Sequence, residues 1–112
     1  MKKEDFDLFK KYVAEQRDIL GARGWSLKVD ADKITEDVDA ECSYDELNRC
    51  ALITIADNTE GASSKFLEAT ARHEVLELIM ADIRSLMGEF YSENFVDQHI
   101  HRVIRKLENA LK

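Results

Sequence analysis

The stretch Ala71-Arg72-His73-Glu74-Val75-Leu76-Glu77-Leu78-Ile79 decides the predicted fold, because it joins helical spacing to chemically reactive side chains. Its apolar residues recur at intervals of three and four positions, as they do on the buried face of a helix. His73 and Glu77 are four positions apart, so on a helix they lie one above the other on a single stripe. We expect the core face of this helix to carry Val75, Ile79, Ile83 and Leu86.

The same stretch comes within one residue of H-E-x-x-H. In that pattern two histidines one helical turn apart bind zinc, and the intervening glutamate takes a proton from water. His73 matches the first ligand, Glu74 matches the glutamate, and Glu77 stands in place of the second histidine. A carboxylate can bind there, since zinc–oxygen distances of about 2.0–2.2 Å are normal. We therefore predict His73 and Glu77 as metal ligands and Glu74 as the catalytic base. A solvated or ion-paired helix face without metal is the alternative.

Replacing imidazole by carboxylate also changes which metal is expected. A carboxylate is a harder ligand and adds negative charge beside the ion, which weakens zinc as a Lewis acid. Zinc remains the first expectation, while calcium, magnesium or manganese becomes less disfavoured than at a site with two histidines. The sequence also leaves open that no metal binds.

A third ligand has to come from another part of the chain, and the last helix offers two candidates. Asp97 and His101 are four positions apart and share a face of that helix. His99 and His101 are two positions apart and point about 200° away from each other, so they cannot both bind one ion. The third ligand is therefore predicted to be His101 or Asp97, or to be missing.

Three helices are predicted from apolar spacing and capping residues. The first covers roughly residues 3–22 and ends at glycines. The second has Ser63 or Ser64 as its N-cap and continues to Met87, because the chain has no proline to interrupt it. The last begins near Ser92 and runs to the end of the chain. Its predicted apolar stripe is Val96, Ile100, Val103, Ile104, Leu107 and Leu111.

Two strands are predicted between the first two helices, and a third is indicated more weakly. Residues 25–29 alternate apolar and polar side chains, and residues 50–56 are β-branched and largely apolar. The second of these segments is expected inside the sheet or along a covered edge. The later part of residues 34–44 is interpreted as a strand, followed by a turn at 45–48. The expected fold is α+β, with a small two- to three-stranded sheet and helices on one face.

Composition limits the classes of function. A chain of 112 residues with 45% apolar residues is expected to form one domain over residues 1–112. Its net charge of −7 argues against non-specific binding to nucleic acid or to an anionic membrane. The chain has neither a long apolar run nor an apolar segment near its start, so we expect a cytoplasmic protein. Cys42 and Cys50 are expected to be reduced thiols.

The second half of the chain resembles a known family. The stretch from Thr70 to Asp82 and the ending His101-Arg102-Val103-Ile104-Arg105-Lys106-Leu107-Glu108-Asn109-Ala110-Leu111 are similar to small phage and prophage proteins of zincin-like type. The resemblance extends from Trp25 onward and implies a minimal metallopeptidase core with a bound zinc ion. It implies His73 as a ligand and Glu74 as the base. It also implies a carboxylate ligand just before His101, where this chain has Ile100.

Two functional hypotheses follow from these observations. The first is a metal-binding protein related to zinc metallopeptidases, with weak or lost proteolytic activity on a peptide or protein. The second is an interaction module that keeps the zincin-like fold without metal or catalysis. The second hypothesis predicts a protein partner, which includes a second copy of the chain packed through its long helices.

Overall fold

The structure is a computed structural model that describes residues 1–34, 37–59 and 61–111. These residues form four helices and three strands, and the predicted α+β class is confirmed. Residues 35 and 36 of the predicted 34–44 segment lie outside the described ranges, as does residue 112 at the end of the predicted last helix. The elements are α1 (Lys3–Ile19), β1 (Ser26–Asp32), β2 (Ala40–Asp45), β3 (Cys50–Ala56), α2 (Ser64–Ile79), α3 (Ala81–Gly88) and α4 (Glu93–Ala110).

The sheet has the order β1-β3-β2, which makes β3 its central strand. Of the two predicted positions, inside the sheet or along a covered edge, the first is confirmed. β1 runs parallel to β3, with Ser26 opposite Cys50. β2 runs antiparallel to β3, with Cys42 opposite Ile53. The weakly indicated third strand is therefore confirmed and forms one edge of the sheet, beside the helix that carries the motif.

The main core lies between the sheet and the first two helices. α1 packs against β1, α2 packs against β2, and the two helices contact each other. The inward side chains of β3 are fully buried beneath them, as is Phe9 of α1. The members of this core are Phe9, Val13, Ala22, Trp25, Ala51, Ile53, Ile55, Leu67, Ala71, Val75, Leu78 and Ala81.

The predicted uninterrupted helix to Met87 is wrong, because the chain changes direction at Met80. The ψ angle there is −2°, whereas an α-helix has a ψ near about −42°. α2 ends before this residue, and α3 packs mainly against α4. The prediction that Ile83 and Leu86 belong to the core is therefore also wrong, and they are 48% and 62% exposed.

A second cluster fixes α4 against α2. Ser92 caps α4 by accepting a hydrogen bond from the backbone N–H of Phe95, as predicted. The cluster contains Leu76, Met80, Val96, Ile100 and Ile104. Of the predicted α4 stripe, only Val96, Ile100 and Ile104, which are spaced four residues apart, are buried. The buried stripe is narrow because α4 has a neighbouring helix on one side. The other three, Val103, Leu107 and Leu111, are exposed, so the predicted stripe is too wide.

The residues that precede α2 and follow α1 have the predicted local structure. Ser63 is the N-cap of α2 and accepts a hydrogen bond from the backbone N–H of Phe66 at 3.1 Å. Gly21 has a φ of +77°, the left-handed conformation that commonly ends a helix. No helix within the described ranges has the length and apolar character needed to cross a bilayer.

Candidate metal site

The predicted ligands meet in the space between α2 and α4. His73 and Glu77 lie one turn apart on α2, and His101 approaches them from α4. The Oε1 atom of Glu77 is 2.9 Å from Nε2 of His101 and 3.7 Å from Nε2 of His73. One donor atom from each of the three residues lies within 4.8 Å of the others. Ligands on a tetrahedral zinc ion are about 3.4 Å apart at bond lengths of about 2.0–2.1 Å, so small side-chain movements suffice.

The hydrogen bond of His101 determines which of its nitrogens is available. Its Nδ1 is 2.9 Å from the backbone carbonyl oxygen of Asp97. A carbonyl oxygen only accepts hydrogen bonds, so Nδ1 is the donor and carries a hydrogen. In the neutral imidazole, Nε2 then has a free lone pair, and this is the nitrogen that faces Glu77.

His73 has a similar arrangement on the opposite side of Glu77. Its Nδ1 is 3.3 Å from Oε2 of Glu108, near the end of α4, and its Nε2 faces Glu77. A histidine that binds a metal through one nitrogen usually donates its other N–H to a carboxylate or carbonyl group. Both histidines of this group have such a partner on the side away from Glu77.

The facing atoms of Glu77 and His101 at the centre of the group require a hydrogen or a metal ion between them. Oε1 of Glu77 only accepts, and Nε2 of a neutral His101 has no hydrogen, so at 2.9 Å these two atoms would repel each other. A hydrogen on Nε2 of His101 removes the repulsion by donating to Oε1 of Glu77. A divalent cation removes it by bonding to both atoms. The donors therefore fit a metal ion, and a hydrogen bond from His101 to Glu77 is the metal-free alternative.

Arg84 explains why Asp97 does not join the group. This arginine, on α3, donates to Oε2 of Glu77 at 3.2 Å and to Oδ1 of Asp97 at 3.1 Å. The same guanidinium thus binds Oε2 of Glu77 and the carboxylate of Asp97, both of which belong to predicted ligands. Of the two predicted candidates for the third ligand, the structure brings His101 into the group and pairs Asp97 with Arg84.

Glu74 lies outside this group and faces the sheet side of α2. It is 6% exposed and lines a groove of about 480 Å³ together with His73, Glu108 and the segment 37–40. Burial, and then the negative charges of Glu77, Glu41 and Glu108, raise the pKa of Glu74 from 4.5 to about 8. Its role as a catalytic base stays a prediction, with the carboxyl group protonated at neutral pH in the metal-free protein.

The sequence does not single out three further residues around the site, which are Glu108, Cys42 and Arg84. Glu108 is 35 positions from His73, and Cys42 is on the neighbouring strand. Burial, followed by Glu74 and Glu77, raises the pKa of the Cys42 thiol to about 12, which keeps it protonated and unreactive. Arg84 follows Glu77 by seven positions, a spacing that places two side chains on one helix face and offers the single usable clue.

The raised pKa of Glu74 predicts a loss of stability as pH rises. Because the folded protein holds this proton more tightly than the unfolded chain, the stabilisation is complete below about pH 4.5 and is lost as pH approaches 8. As pH rises from 5.5 to 8.5, we expect the free energy of unfolding of Glu74→Gln to increase by about 3 kcal/mol relative to that of wild type. Urea denaturation with a chelator present measures this difference.

A carboxylate outside the groove provides the control for that experiment. Glu89 is exposed just after α3, so Glu89→Gln is expected to keep the pH profile of wild type. If the stabilities of wild type and Glu74→Gln changed in parallel with pH, the raised pKa of the buried Glu74 carboxyl group would be contradicted.

No protein-family model, curated protein or solved structure matches this chain. The resemblance to zincin-like proteins therefore depends on the quoted residues alone. The functional assignment accordingly rests on the geometry of His73, Glu77 and His101.

Proposed function

We propose that this chain is a divalent-metal-binding protein of zincin-like type, related to zinc metallopeptidases of phages and prophages and with weak or lost proteolytic activity. Its ligands are His73, Glu77 and His101. One observation carries the proposal: two imidazole nitrogens and one carboxylate oxygen from different helices converge within 4.8 Å. Zinc is the metal that this donor set favours.

The donor set supports zinc even though the motif is altered. Two histidines and one glutamate form a well-known set of catalytic zinc ligands. In this chain the glutamate occupies the second position on the motif helix, and the second histidine comes from α4. The positions of one imidazole and one carboxylate are thus exchanged relative to the expected pattern, while the donors stay the same. The exchange compensates for the presence of Ile100 where the resemblance implies a carboxylate.

The second contacts of the ligands support the same conclusion. Glu108 and the carbonyl group of Asp97 accept hydrogen bonds from the outer nitrogens of the two histidines, which orients both rings toward Glu77. Such partners raise the basicity of a metal-bound imidazole and hold it in place. Three protein ligands also leave a fourth tetrahedral position for water or substrate, as in catalytic zinc sites.

The environment of Glu74 supports weak rather than efficient hydrolysis. A general base has to be ionised, and the pKa of about 8 keeps this carboxyl group largely protonated at neutral pH. The neighbouring carboxylates of Glu77, Glu41 and Glu108 all oppose its ionisation. A zinc ion at the site supplies positive charge that lowers this pKa, so any hydrolysis depends on the loaded state.

An interaction module is the second candidate, and an exposed aromatic surface favours it. Phe90 and Tyr91 are 74% and 54% exposed, and the ring of Tyr91 stacks on that of Phe95 with centroids 4.8 Å apart. Leu86, near the end of α3, is also exposed. Exposed apolar patches of this kind mark contact sites for protein partners, including a second copy of the same chain. This module requires no metal, so its stability does not depend on a chelator.

A zinc titration monitored by thermal unfolding tests the proposal. At a free zinc concentration of 100 Kd, wild type is expected to gain about 2.7 kcal/mol of stability, which corresponds to roughly 10 °C. A chelator is expected to reverse the gain. His73→Ala is expected to show no shift, because it loses a ligand.

A second histidine variant separates specific binding from adventitious binding. His99 lies on the same helix as His101, but its ring contacts Phe95 and is outside the ligand group. His99→Ala is expected to keep the full zinc shift. Equal and negligible shifts in wild type and His73→Ala would sink the metal proposal and favour the interaction module.

A further inference from the structure

We propose that Arg84 is a specificity-determining residue that restricts the site to nitrogen-preferring, four-coordinate ions such as zinc and cobalt, against oxygen-preferring ions such as magnesium, calcium and manganese. The inference rests on the proposed metal site. It goes beyond that site by assigning a role to a side chain that does not itself bind the ion.

The first step concerns how Glu77 can bind. Its Oε1 atom faces the two histidines, while its Oε2 atom accepts a hydrogen bond from Arg84 at 3.2 Å. An ion between the imidazoles therefore meets one oxygen of this carboxylate and not both. Oxygen-preferring ions need six or more ligands, and calcium sites often obtain two of them from one bidentate carboxylate. Arg84 removes that option.

The second step concerns Asp97, which would otherwise supply another hard ligand. It shares a face of α4 with His101, and its Oδ1 atom is 3.4 Å from Nδ1 of that histidine. The same oxygen accepts a hydrogen bond from Arg84 at 3.1 Å. One guanidinium group thus occupies an oxygen from each of two carboxylates beside the site.

The third step is electrostatic. Oxygen-preferring ions are bound chiefly through negative charge, and the guanidinium offsets one of the two carboxylate charges nearest to it. Zinc and cobalt depend less on that charge, because imidazole nitrogen supplies much of their bonding. Arg84 and Glu77 are both largely shielded from solvent, so this ion pair is weakly screened.

The position of Arg84 follows from the local fold. It is seven residues beyond Glu77, or about 10 Å along a helix axis, and its long side chain spans part of that distance. The change of direction at Met80 turns α3 toward α4, where Asp97 lies. The guanidinium can therefore reach both carboxylates at once.

The test compares zinc and manganese dissociation constants in wild type, Arg84→Met and Arg84→Lys, together with the visible spectrum of the cobalt-loaded proteins. Methionine keeps the length of the side chain and removes its charge and its hydrogen bonds. We expect the ratio of manganese to zinc dissociation constants to fall at least tenfold in Arg84→Met. We also expect the strong cobalt absorption of a four-coordinate site to weaken as further oxygens bind. Lysine keeps the charge but lacks the two-pronged geometry, so Arg84→Lys is expected to give an intermediate ratio.

Two further variants distinguish specificity from general damage. Arg84→Met combined with Asp97→Asn removes the extra carboxylate and is expected to restore part of the wild-type ratio, because Glu77 stays free to bind through both oxygens. Arg102→Met changes an exposed arginine of α4 and is expected to leave the ratio unchanged. If wild type binds zinc and Arg84→Met keeps both the wild-type ratio and the cobalt spectrum, the role of Arg84 is overturned and the metal site stands. If wild type binds neither zinc nor cobalt, the metal site itself is overturned.

Discussion

His101→Ala is expected to weaken zinc binding by at least about 100-fold, while Asp97→Ala is expected to weaken it by less than about tenfold. The two residues lie one turn apart on the same face of α4, and each is a reasonable third ligand on sequence grounds. In the structure, Nε2 of His101 is 2.9 Å from Oε1 of Glu77, whereas the carboxylate of Asp97 forms an ion pair with Arg84. Loss of the imidazole therefore removes a ligand.

Asp97→Ala is a matched comparison because it retains the contact that orients His101. The hydrogen bond to that ring comes from the backbone carbonyl oxygen of Asp97, which alanine also provides. Isothermal titration of zinc into the two variants measures both constants. A larger loss in Asp97→Ala than in His101→Ala would show that the carboxylate is the ligand and that the site rearranges when metal binds.

Phe9→Ala is expected to destabilise the metal-free protein by about 3–5 kcal/mol. Phe9 is completely buried in the main core, where α1 meets α2 and the sheet. Removing its ring takes away buried apolar area and leaves a cavity that the surrounding side chains fill only in part. Since domains of this size are stable by about 5–15 kcal/mol, the loss is a large fraction of the total.

An exposed residue of the same helix provides the control for Phe9. Ile19 is 69% exposed at the end of α1, so Ile19→Ala is expected to change stability by less than about 0.5 kcal/mol. Urea denaturation with a chelator present compares the two variants without any contribution from metal. Similar losses in both would contradict the packing of α1 against α2 and the sheet.

The parts of the fold that the sequence predicts are those with strong local signals. Ser63 and Ser92 are N-caps because their hydroxyl groups accept hydrogen bonds from the first turn of the following helix. The segment 50–56 is a central strand because its apolar, β-branched residues favour a strand that is paired along both edges. The pairing of His73 with Glu77 follows from helical geometry alone.

The remaining features depend on contacts between distant parts of the chain. No proline or glycine near Met80 predicts the change of direction there. The change accompanies the packing of α3 against α4, which is a contact between distant parts of the chain. The approach of Glu108 to His73 requires the relative position of α2 and α4, which spacing along one helix does not provide. The choice of His101 over Asp97 depends on Arg84, whose role becomes visible only when three helices are placed together.

We interpret the altered motif as an exchange of positions between one histidine and one carboxylate, with Glu77 on α2 and His101 on α4. Viewed alone, Glu77 replaces a zinc ligand by a harder and more negative group. Viewed with His101 and Arg84, it supplies one oxygen to a set of two imidazoles and one carboxylate. In the proposed site, one metal ion is shared by three atoms: Nε2 of His73, Nε2 of His101 and Oε1 of Glu77.

Anomalous diffraction at the zinc absorption edge, from a crystal of the zinc-loaded protein, tests that claim most directly. We expect one strong peak between α2 and α4, at about 2.0–2.2 Å from each of the three atoms. A zinc peak held by other residues, with none between His73, Glu77 and His101, would contradict the account.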